Sequence, residues 1–158
     1  MEKWEFLKNI QKIYAIDFTV EEDEASIVNP DNGKCIKIYS EKYYSKDGKE
    51  DFSEYIVCFA TQHRHFDELD EVEEYIHEIL KDEVLPIEFY VADKRGFGGE
   101  IEKAELETLT FALLAQQWGF SIEYLSARDY EICSWSGKYD SGRKKVADTD
   151  PNRLIWEK

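Results

Sequence analysis

The stretch Phe52-Ser53-Glu54-Tyr55-Ile56-Val57-Cys58-Phe59-Ala60-Thr61, with the run 67–83 that follows it, decides the fold. Tyr55, Val57 and Phe59 alternate with Ile56, Cys58 and Ala60. Both faces of an extended segment are then apolar, which predicts a central strand covered on both sides. In 67–83, Leu69, Val72, Ile76, Ile79 and Leu80 form one stripe at helical spacing. Asp67 reads as its N-cap, with further acids in the first turn, where the helix dipole favours them.

Working outward, Trp4, Leu7, Ile10 and Tyr14 predict a short amphipathic helix over 3–13, and Ile16, Phe18 and Val20 alternate as a strand. Ser26–Val28 begins a second strand, and Asn29-Pro30-Asp31-Asn32-Gly33 is a turn. Lys34–Tyr44 reads as a strand, followed by a turn at Ser45–Lys49. Beyond the acidic helix, Pro86 closes the segment and Ile87, Phe89 and Val91 alternate as a strand. Lys94–Glu100 reads as a glycine-containing loop, and 102–118 as a second long helix ended by Gly119. Phe120–Leu125 and Tyr130–Ser136 read as two strands, 137–149 as a mobile loop, and Leu154–Trp156 as a docked helical turn. The expected fold class is α+β. It has a mainly antiparallel sheet of about five to seven strands, with two long helices and short terminal helices packed on it. One domain is expected over 1–136, with a polar loop and C-terminal segment over 137–158.

The chain has 158 residues, 42% of apolar type and 15% aromatic, enough for a real core. Its longest apolar runs are a few residues, so no membrane-spanning helix is expected. The start, Met1-Glu2-Lys3-Trp4-Glu5, has no apolar core of a secretory signal. Three cysteines, Cys35, Cys58 and Cys133, sit in strand-like segments and read as reduced, half-buried thiols. A cytoplasmic location is the expectation.

Charge is the most informative feature. There are 35 acids against 20 bases, net −15, which argues against binding nucleic acid. Residues 67–83 alone hold nine acids and one lysine, over half of the net charge. At helical spacing Asp67, Glu71, Glu74, Glu78 and Asp82 fall on one line opposite the apolar stripe, an exposed acidic ridge suited to a basic protein partner. Trp135 and Tyr139 form a second, aromatic candidate for partner contact.

Other constellations are weighed against this. His63 and His65 are two apart, a spacing seen in metal sites, but if the strand runs on from Cys58, that thiol lies on the opposite face. No metal and no cofactor is expected, His63 and His65 being the residues considered. Arg95-Gly96-Phe97-Gly98-Gly99-Glu100 has the place of a phosphate loop, yet Ile101 occupies the third glycine position of the dinucleotide fingerprint.

In size, acidity and the concentration of charge on one helix, the chain resembles the bacterial immunity proteins that neutralise polymorphic toxins, cationic nucleases in particular. The resemblance is one of profile over the whole chain, without a shared motif. It implies a non-enzymatic inhibitor whose ridge acids meet lysines or arginines of a toxin-like partner, with neither nucleic acid nor membrane as a partner. The alternative is a small enzyme or ligand-binding α+β domain, its site near His63, His65 and the 95–100 loop. A scaffold or oligomerisation domain is the third reading.

Overall fold

The structure is a computed structural model that describes residues 2–44, 51–92, 94–126, 128–141 and 150–156. The fold is α+β, with antiparallel sheets. The expected turn at Ser45–Lys49 lies outside the described residues, as does 142–149 of the expected mobile loop. The chain forms two compact units, Met1–Lys81 and Asp82–Lys158, so the division falls at 81/82 rather than at 136. Each unit has its own sheet, so among the described residues eight strands in two sheets replace the expected single sheet of about five to seven.

The first unit opens with a single 3-10 turn, Glu2–Trp4, and helix α1, Phe6–Tyr14. Strands β1 (Phe18–Val20), β2 (Glu24–Val28), β3 (Cys35–Tyr44), β4 (Asp51–Phe59) and β5 (Gln62–Phe66) follow as an antiparallel meander in sequence order. Alternation on the pleat sorts the side chains. Ala25, Ile27, Ile36, Ile38, Val57, Phe59 and Phe66 are buried, together with Leu7 and Ile10 of α1. Helix α2, Leu69–Leu80, contributes Val72, Tyr75, Ile76, Ile79 and Leu80 to this core. Burying one such aliphatic side chain stabilises by about 1.5–3 kcal/mol, so these residues dominate the unit's cohesion.

Two expectations change here. β4 is covered on one face only: Val57 and Phe59 are buried, while Ile56 and Cys58 are half-buried. The strand also ends at Phe59, because Ala60 takes φ 54° and a two-residue turn reverses the chain into β5. A positive φ at the first turn residue matches the strand twist of a tight hairpin. His63 and His65 therefore sit on a separate edge strand.

The second unit is built on a three-stranded antiparallel sheet in the order β7-β6-β8: β6 (Val84–Val91), β7 (Lys94–Glu102) and β8 (Asp129–Ile132). Pro86 lies inside β6, and its carbonyl accepts from Cys133 N–H at 2.9 Å. The 95–100 segment is strand, not loop. A Cβ at Gly99 would lie 2.6 Å from Cζ2 of Trp118, so the glycine is there to let that indole lie on the strand.

The second long helix is replaced by α3 (Lys103–Leu106) and α4 (Phe111–Trp118). Thr110 causes the break, for its side-chain oxygen accepts from Leu113 N–H and starts a new helix. Gly119, at φ 76°, ends it as expected. Phe120–Leu125 is not a strand. Ser121 Oγ accepts from Tyr124 N–H at 3.2 Å and opens α5, Ile122–Ser126. The core gathers Leu85, Ile87, Phe89, Phe111, Leu114, Leu125, Tyr130 and Ile155. The C-terminal segment docks by backbone: Ile155 N–H donates to Leu109 C=O, and Tyr130 Oη donates to Ile155 C=O at 2.6 Å.

Candidate functional site

The acidic helix is present but shorter than its sequence signature. α2 runs from Leu69 to Leu80, and its N-cap is Glu68, without a side-chain capping bond; Asp67 precedes it. Within α2 there are five carboxylates, Asp70, Glu71, Glu73, Glu74 and Glu78, and no lysine or arginine. Asp67, Glu71 and Glu74 are exposed and Glu78 is half-buried. Exposed Glu68 and Asp70, which lie off the single helical line of Asp67, Glu71 and Glu74, extend the same acidic start of the helix. Like charges three and four apart cost about 0.2–0.5 kcal/mol per pair, and within α2 the Nε2 of His77 lies 3.9 Å from Glu73 Oε1. His77 is otherwise structural. Its Nδ1 shares a 2.7 Å hydrogen bond with the Tyr14 hydroxyl, tying α2 to the end of α1.

Asp82 does not belong to the ridge. It is buried, has φ 58°, and lies beyond the helix in the second unit. Short polar Asp tolerates this left-handed conformation, which stops the helical path. Its Oδ1 accepts from Ser136 N–H at 3.1 Å, and Oδ2 accepts from Ser136 Oγ. The carboxylate thus fastens the 133–140 loop.

The aromatic candidates are packing residues. Trp135 is 6% exposed. Tyr139 packs against the second core, its ring 5.6 Å from that of Trp156, whose Nε1 donates to Tyr139 C=O. The described part of the expected mobile loop is held firmly: Ser134 N–H donates to Asp140 Oδ1 at 2.7 Å, and Tyr139 N–H donates to Ser134 Oγ at 3.0 Å.

A second acidic feature accompanies α2 in the first unit. Glu21, Glu22, Asp23, Glu24 and Glu41 line an open hollow of about 330 Å3 with Tyr39 and Ser40. Lys3 Nζ lies 2.8 Å from Asp23 Oδ1 and, by this hydrogen bond and its charge, holds the Asp23 carboxyl below its ordinary value. The hollow is lined from the β1–β2 connection, the start of β2 and the middle strand β3, whereas α2 packs on β4 and β5.

For the histidine pair the structure changes the place of Cys58. The hairpin brings His63 opposite Cys58 and His65 opposite Ile56 on one sheet face, reversing the expected separation of Cys58 from the pair. The imidazole rings are 5.4 Å apart, and His65 Nδ1 lies 2.7 Å from Glu54 Oε1. Burial raises the Cys58 thiol above its ordinary value, with Lys37 opposing the shift, so it stays protonated at neutral pH. No three metal-ligating groups converge among the described residues. The glycine segment 95–100 lies in the other compact unit. Among the described residues no helix is long and apolar enough to cross a membrane. No protein-family model, curated protein or solved structure matches the chain.

Proposed function

We propose that the chain is a non-enzymatic binding module that presents the acidic start of α2 to a basic protein, in the manner of an immunity protein neutralising a cationic toxin. One observation carries this reading. α2 keeps its apolar stripe buried and turns Asp70, Glu71 and Glu74 to solvent with no lysine or arginine among them, an arrangement that costs helix stability and gains a strong local field. The partner's lysines or arginines would meet Glu71 and Glu74 first, with Asp67 and Glu78 at the flanks. Attraction of this kind mainly speeds encounter and weakens as salt rises.

The test is retention of partners from the native cell on immobilised protein at low and moderate salt, wild type beside Glu71→Lys with Glu74→Lys. The expected result is a basic protein held by the wild type at low salt, released by added salt, and lost from the double variant. In a neutralisation assay that protein's activity falls when the wild type is added. Equal retention by wild type and variant removes the α2 acids from the account.

A further inference from the structure

We propose that His63 and His65, with Glu54 behind them, form a bidentate site for a divalent transition-metal ion on the edge of the five-stranded sheet. The argument starts from strand geometry. Residues two apart on a strand project to the same side, and β5 is the edge strand, so both imidazoles stand on one accessible face. Two imidazoles bound through nitrogen to one tetrahedral ion, each nitrogen about 2.0–2.1 Å from it, place their ring centres roughly 5 Å apart. The centres are 5.4 Å apart, with the rings crossed at 71°.

Glu54 supplies the second element of a metal site. Its Oε1 lies 2.7 Å from Nδ1 of His65, so Nδ1–H donates to the carboxylate and Nε2 keeps its lone pair for an ion. Histidines that ligate metals commonly donate their other nitrogen to a carboxylate, which fixes the tautomer and raises the basicity of the ligating nitrogen. His63 has no hydrogen-bond partner among the described residues, so its ring turns toward an ion without breaking a bond. Glu54 here is a positioning residue. With two protein ligands, solvent fills the remaining coordination positions. Imidazole nitrogen suits copper, nickel and zinc, and the general affinity order places Cu2+ first.

The experiment titrates the full chain with Cu2+, and in parallel with Zn2+, by calorimetry. Wild type is expected to bind one Cu2+ per chain at this site, more tightly than Zn2+. His63→Ala and His65→Ala each lower that affinity at least tenfold, with unfolding midpoints unchanged, since both side chains are exposed. Should either alanine variant unfold, the corresponding glutamine variant takes its place. Glu54→Gln lowers affinity roughly tenfold at unchanged stoichiometry. It also shifts the imidazole 15N resonances of His65 from the Nδ1–H form toward a mixture, which a merely structural role would not do. Copper binding of equal strength in wild type and in the double histidine variant overturns the proposal, because the ion is then held elsewhere. Absence of binding in wild type overturns it outright.

Discussion

Among the described residues the two compact units treat their carboxylates differently: those of the first all keep some exposure, while the second buries Asp82 and Glu88. The first, Met1–Lys81, closes an apolar layer between one sheet face and two helices, with His63 and His65 outside it and His77 half-buried against Tyr14. It holds 20 acids against 10 bases, while the second holds 15 against 10. In the second unit Asp82, Glu88 and Ser134 are buried; Ser134 and Asp140 tie the 133–140 loop to itself, and Asp82 fastens it from outside. The same residue type therefore has different worth in the two places. Asp70, Glu71 and Glu74 on α2 lie in solvent, whereas Asp82, two residues past that helix, is buried and accepts from Ser136.

The contrast is broken most severely in the second core. Phe89 is fully buried, its ring 5.0 Å from Phe97 and 6.1 Å from Trp118. Phe89→Ala is expected to cost about 3–5 kcal/mol. Denaturant unfolding followed by tryptophan fluorescence reads this directly, since three of the four tryptophans, Trp118, Trp135 and Trp156, lie in that unit. A cost below about 1 kcal/mol would mean that this cluster is not the unit's core.

Next comes the pair of acids. Asp82→Ala strands the Ser136 donors and should cost about 1–3 kcal/mol, while Glu74→Ala should stay within about 0.5 kcal/mol of wild type. Equal effects in the same unfolding assay would erase the distinction between the two acids. A smaller effect has the opposite sign. Ala60 holds φ 54° in the β4–β5 turn, a conformation that glycine adopts freely. Ala60→Gly should stabilise the first unit by several tenths of a kcal/mol, up to about 1, after the added entropy of the unfolded glycine is set against the relieved strain. A lower unfolding midpoint would show that the turn is unstrained.

The smallest effect concerns one proton. Lys3 keeps the Asp23 carboxyl below 3.8, so their attraction is present above that pH and is lost as pH falls through the lower folded value. Lys3→Met should bring the Asp23 titration back toward 3.8, as followed by carboxyl 13C resonances. An unmoved midpoint would assign the shift to another neighbour.

Much of the first unit was legible in its sequence because local signals agree there. The Ile36/Ile38 alternation, the Asn29–Gly33 turn and the Leu69–Leu80 stripe each point to the element that forms. The pair His63 and His65 was legible, but a single residue hid the side of Cys58. Ala60 gives no glycine or asparagine signal for a tight turn, so the strand seemed to run on through Thr61 and the parity of Cys58 against His63 came out reversed. In the second unit local pattern and tertiary packing diverge. Leu106, Leu109 and Leu113 fall on one helical line, yet Leu113 is 44% exposed, because the Thr110 cap restarts the helix and Leu109 serves instead to receive the C-terminal segment. Phe120, Ile122 and Tyr124 alternate like a strand, but the Ser121 cap turns Ile122 and Tyr124 into a helix, with Tyr124 stacked on Phe97 and Phe120 tilted against it. Asp82 was misplaced because charge counts along a sequence carry no sign of where a helix stops.

The central claim is that recognition resides on the acidic start of α2. It is tested most directly by association kinetics between the protein and the basic partner retained from the cell, measured from low to moderate salt for wild type and for Glu71→Lys with Glu74→Lys. The account predicts an on-rate for wild type that falls steeply with salt, a slower one for the double variant with a flattened salt dependence, and unchanged unfolding for both. Identical rates and identical salt slopes would contradict it.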